Sequence, residues 1–66
     1  MAFVKNWLPS VGEKVKTTRR ISAGGGYFEK GSVVTITAIG DRGYDVEDED
    51  GNRIIECGWE GFARIK

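Results

Sequence analysis

The chain has 66 residues, room for one domain with a thin core, since a polypeptide this short buries only about 60% of its unfolded surface. A single cysteine, Cys57, and the absence of histidine exclude an internal disulfide, an imidazole base and the usual zinc ligand sets, and fit a reducing cytoplasm. Ten cations and ten acids cancel overall, yet they are segregated: residues 1–30 carry six cations against two acids, residues 31–66 four cations against eight acids.

The first ten residues form an N-terminal arm. Phe3, Val4, Trp7 and Leu8 are interrupted by Lys5 and Asn6, too short an apolar stretch for a signal peptide or a membrane span. Spacings of four relate Phe3 to Trp7 and Val4 to Leu8, and Pro9 ends any helical turn there. The arm is expected either to plug one end of the domain or to serve as a sticky contact for a partner. Residues 13–21 read as a first strand, largely solvated and at a sheet edge, where lysine and arginine discourage unwanted pairing. Ser22-Ala23-Gly24-Gly25-Gly26 reads as a flexible loop tip, because consecutive glycines impose no backbone geometry. Val33 to Ile39 is the clearest strand, dense in β-branched residues, with Val34, Ile36 and Ala38 expected on one face.

Residues 44–49 and 52–57 are expected to form a hairpin about Asp50-Gly51, a strong two-residue turn signal. With those two residues at its centre, Asp48 would face Arg53, Val46 would face Ile55, and Tyr44 would face Cys57. Glu49 would then meet Asn52, Glu47 Ile54, and Asp45 Glu56 on the other side. The first set turns apolar along its length and is assigned to the core. A tight turn over residues 58–61 leads to a short final strand, residues 62–65. Short strands at this spacing, with no helical periodicity beyond the arm, indicate an all-β barrel or sandwich. The expected core is Val15, Val34, Ile36, Val46, Ile55 and Phe62.

The series Val-Gly-Glu-Lys-Val from Val11, Lys-Gly-Ser-Val-Val-Thr-Ile from Lys30, Gly-Tyr-Asp-Val-Glu-Asp from Gly43, the turn tryptophan Trp59 and the closing Phe-Ala-Arg-Ile resembles small SH3-like barrel proteins. It is most similar to the short members encoded by bacteriophages and bacteria. The resemblance covers residues 11–65 and implies a small five-stranded SH3-like barrel over 11–66, preceded by the short N-terminal arm 1–10. It further implies a long loop over 22–31 and a single 3₁₀ turn at 58–61. Gly43-Tyr44 stands where the proline-binding SH3 modules begin a strand with paired tryptophans, and Gly61-Phe62 replaces their proline-and-tyrosine ending. The glycine-rich loop flanked by Arg19, Arg20 and Lys30 replaces an acidic one. A weaker likeness joins the Val-Gly-x-x-Val opening to the KOW-type barrels of translation and transcription factors. The fold itself hosts many binding roles.

Catalytic signatures are missing: no nucleophile elbow, and no glycine-rich phosphate loop ending in Gly-Lys-Ser/Thr. A calcium loop with Gly51 at its sixth position would need ligands at Val46 and Cys57, so that motif fails. No cofactor is expected. Two kinds of partner remain. A protein partner would be anchored by Trp59, Trp7 and Tyr44, since aromatic residues dominate interface energetics. Nucleic acid would be followed by Lys14, Lys16, Arg19, Arg20 and Lys30 while Tyr27 stacks on bases, with Phe28 beside it. The expectation is therefore a soluble cytoplasmic binding module, a small accessory or adaptor protein and not an enzyme, with self-association of the oppositely charged halves as a variant of the protein reading.

Overall fold

The computed structural model describes residues 8–23 and 26–65. They are all-β, with seven strands in chain order: β1 Lys14–Thr17, β2 Ile21–Ala23, β3 Gly26–Phe28, β4 Val33–Gly40, β5 Gly43–Glu47, β6 Arg53–Ile54 and β7 Phe62–Arg64. Five form one antiparallel sheet in the order β6-β5-β4-β1-β7, and β2 pairs with β3 in a separate two-stranded sheet. Among the described residues the five-stranded sheet ends at β6 and β7 without pairing back on itself.

Period-two alternation builds the core. Val15 and Thr17 point inward from β1 while Lys14 and Lys16 point to solvent. Val15 faces Val34, and Ile36, Val46 and Ile54 line up across three strands. Phe28 and Tyr44 complete this cluster, and Phe62 packs against it half-buried. Each buried Val, Ile or Phe side chain contributes about 1.5–3 kcal/mol, which makes this small cluster the main source of stability.

Several expectations are corrected. The strand expected over 13–21 is two strands, broken by the bend at Thr18, Arg19 and Arg20. β1 is not at an edge: it pairs with β4 on one side and β7 on the other, because its two inward positions are apolar or hydrogen-bonded. The stretch 22–31 is not one open loop, since Ile21, Ser22 and Ala23 pair with Phe28, Tyr27 and Gly26. Its tip, Gly24 and Gly25, lies outside the described residues, as does the arm through Trp7. Ala38 leaves the face of Val34 and Ile36, because the register shifts between Ile36 and Ala38 and sets Ala38 against Asp45. A β-bulge of this kind reverses the alternation beyond it.

The hairpin register differs by one residue. Val46 pairs with Ile54 and Glu47 with Arg53, so Ile54 enters the core and Ile55 is 54% exposed. The cause lies in Asp48. Its Oδ1 accepts the Asp50 and Asn52 amides, each at 2.9 Å, and its Oδ2 accepts Asn52 Nδ2 at 2.9 Å. The Gly51 amide donates to Asp48 O at 3.2 Å, and the Asp48 amide to Asn52 O at 2.9 Å. With Gly51 at φ 90°, the loop is a three-residue connection ending in a left-handed glycine, a common alternative to the two-residue turn. Residues 58–61 turn without a 3₁₀ helix.

Candidate functional site

Three groups of expected binding residues occupy separate places. The first surrounds Trp59. Gly43 sits directly against Gly58 in an isolated parallel bridge, and a Cβ on Gly43 would overlap the Gly58 backbone. The Tyr44 amide donates to Gly58 O at 3.1 Å, and the Cys57 amide to Tyr44 O at 3.0 Å. This backbone-to-backbone clasp fixes the 58–61 turn over β5. Trp59 there packs edge-on against Tyr44, with ring centroids 5.0 Å apart and planes at 81°. Phe62 meets Tyr44 from another side at 5.8 Å and 79°. Tyr44 is only 4% exposed and is a pillar of the core, while Trp59 is 50% exposed. Gly61 extends the same rim: its φ is 100°, and an added Cβ would lie 2.7 Å from Ile21 Cδ1 and 3.1 Å from Arg19 Nε. The glycine thus lets Arg19 lie along the tryptophan turn.

The second group is the β2–β3 hairpin. Arg20 places its guanidinium carbon 4.2 Å from the centroid of the Tyr27 ring, a cation–π contact. Tyr27 is 53% exposed. It lines an open groove of about 400 Å³ with Gly26, Phe28, Asn52, Arg53 and Ile54, formed where β3 lies beside β6. Lys14 and Lys16 make up the third group, on the outer sheet face in register with Thr35 and Val33. Lys30 is exposed in the turn joining β3 to β4. The six basic and aromatic residues expected to act together are therefore divided. Arg20 and Tyr27 meet, Arg19 joins the Trp59 rim, and Lys14 and Lys16 belong to the sheet surface.

Asn52 and Arg53 escaped the sequence reading because the groove is made from two segments remote in the chain. The ion pair of Arg53 with Glu47, at 3.4 Å, joins an exposed arginine to a partly buried carboxylate and holds the guanidinium only loosely. Cys57 is half-buried, and burial pushes its thiol pKa up. The thiol donates to Tyr44 O at 3.1 Å, which suits a structural role rather than a nucleophile. Among the described residues no helix is long and apolar enough to cross a membrane.

Comparison with known proteins returned no matching family model, curated protein or solved structure.

Proposed function

We propose that this chain is a non-enzymatic, SH3-like binding module, a small cytoplasmic accessory or adaptor protein of phage or bacterial type, that engages a protein partner through the rim around Trp59. The observation that carries this reading is a tryptophan half open to solvent yet held edge-on against a buried tyrosine. A large side chain already fixed in position loses little freedom on binding, which is what makes such residues effective anchors. Arg19, lying along Gly61 in the same turn, adds a cation to the rim and suits a partner with an acidic residue next to an apolar one. The SH3-like assignment draws support from the long hairpin between the first two strands of the five-stranded sheet and from the turn that carries Trp59 into the last strand.

The test is affinity capture from the native host with the wild-type chain and with Trp59→Ala. Capture of a specific protein by the wild type and its loss in a variant with unchanged circular dichroism is expected. Equal capture by a folded variant removes Trp59 as the anchor.

A further inference from the structure

The groove between β3 and β6 is a second concave surface, built without Trp59. Phe28 and Ile54, both buried, lie beneath it, and its lining mixes polar and apolar surface. Gly26 leaves space above Ile54 that a Cβ would fill, at 3.7 Å from Ile54 Cγ1. Tyr27 forms one wall, with Arg20 stacked on its ring at 4.2 Å. Asn52 and Arg53 form the other, and the Arg53 side chain is 61% exposed. A volume of about 400 Å³ falls within the range of roughly 300–1,000 Å³ typical of small-ligand sites.

We infer that this groove takes an unpaired nucleobase and that through it the chain holds single-stranded nucleic acid, a site independent of the Trp59 reading. A base has a π-face and a polar edge, and the groove offers a partner for each. Tyr27 supplies an exposed ring whose position is set by the arginine behind it, and aromatic platforms of this kind stack any base. Asn52 and Arg53 line the groove; Asn52 Nδ2 is held by Asp48 at 2.9 Å and Arg53 by Glu47 at 3.4 Å, so the Asn52 carbonyl and the remaining guanidinium donors are what is left for the polar edge, with Arg20 as a phosphate partner. A duplex keeps its bases inside the stack, so only a single strand can use the groove. Asp48 and Glu47 contact Asn52 and Arg53 directly, Glu49 and Asp50 adjoin them in the chain, and this acidic tip repels phosphate over a Debye length of about 8–10 Å. The strand is therefore directed away from that tip, toward Arg20 and Lys30, and its binding is modest and sensitive to salt.

The experiment is fluorescence anisotropy of labelled oligo(dT), oligo(U) and a DNA duplex of the same length, titrated with the full chain at low and moderate salt. Single strands are expected to bind with Kd below about 100 µM at low salt and at least about tenfold more tightly than the duplex. Tyr27→Ala should weaken single-strand binding about tenfold, Tyr27→Phe should restore it, and Arg53→Gln should weaken it several-fold and flatten its salt dependence. Trp59→Ala should leave it unchanged, which separates this site from the protein-binding rim. No single-strand binding below about 100 µM, equal binding of duplex and single strand, or indifference to both Tyr27→Ala and Arg53→Gln overturns the inference. Loss of host-protein capture on Tyr27→Ala without any oligonucleotide binding overturns it in favour of a peptide groove.

Discussion

Thr17 is the most buried polar residue of the described chain, and its hydroxyl joins two segments. Its Oγ1 donates to Glu29 O at 2.8 Å and accepts the Ser32 amide at 2.9 Å, while its backbone exchanges further bonds with Ser32 and Gly31. The side chain thus locks the end of β1 to the turn between β3 and β4. Thr17→Val keeps the shape but removes both bonds, leaving the Glu29 carbonyl and the Ser32 amide with only each other, at 3.2 Å, and the Ser32 hydroxyl, at 2.7 Å from that carbonyl. The expected loss is about 0.5–1.5 kcal/mol in urea unfolding, against nearly nothing for Thr18→Val on the exposed bend. Gly43 is constrained differently. Its φ of 139° disfavours any side chain, and the space a Cβ would take belongs to the Gly58 backbone. Gly43→Ala should cost at least about 2 kcal/mol through strain and overpacking. It should also shift Trp59 emission toward that of a solvated indole, because the turn loses its seat against β5. A melting curve with an unchanged midpoint would contradict this account of the clasp.

Among the elements, the β5–β6 hairpin shows how one carboxylate sets a register. Hydrogen bonds, foremost from the Asn52 side chain, hold the Asp48 carboxyl below the usual carboxylate range. The folded form therefore favours the ionised group. Its contribution is fully present above the ordinary aspartate pKa and is lost as pH falls through the lower folded value. Titration by carboxyl carbon shifts should show Asp48 protonating below the ordinary aspartate range. Asp48→Asn should remove this acid dependence from the hairpin's own amide shifts.

That same carboxylate explains what could be read from sequence and what could not. β4 was legible because Val33 to Ile39 carries a signal dense enough to dominate its context. The hairpin was legible as a hairpin, and Asp50-Gly51 marked its turn. Its register was not, because Asp-Gly also fits a three-residue loop when a preceding aspartate caps the amides. The choice between Ile54 and Ile55 for the core followed from that alone. The break after Thr17 was hidden because Thr18-Arg19-Arg20 contains neither glycine nor proline. At the candidate sites, Trp59 and the Arg20–Tyr27 neighbourhood were visible as residue types. The burial of Tyr44 and the recruitment of Arg53 depend on contacts between distant segments, which local patterning does not carry.

At the scale of the whole molecule, charge has a minor part in holding the fold. The ion pairs of Arg53 with Glu47 and of Arg64 with Glu13 join an exposed arginine to a partly buried carboxylate and are long, at 3.4 and 3.8 Å, and such pairs contribute about 0–1 kcal/mol each. Segregated charge instead sets what approaches. Acids gather on β5 and the hairpin tip, while cations gather on β1 and around β2 and β3.

The sheet order also dictates how the molecule comes apart. β1, β4 and β5 each have a hydrogen-bonded neighbour on both flanks, whereas β6, two residues long, and β7, three, are held from one flank only. In native-state deuterium exchange the amides bonded between interior strands, such as those of Val34 toward β1 and Glu47 toward β4, should be the last to be replaced, and those of Arg53, Ile54 and Ala63 the first. Uniform protection across all five strands would contradict this order. Because β6 also forms a wall of the groove, that wall belongs to the least protected part of the structure, and a ligand seated there would slow its fraying before it changed anything deeper.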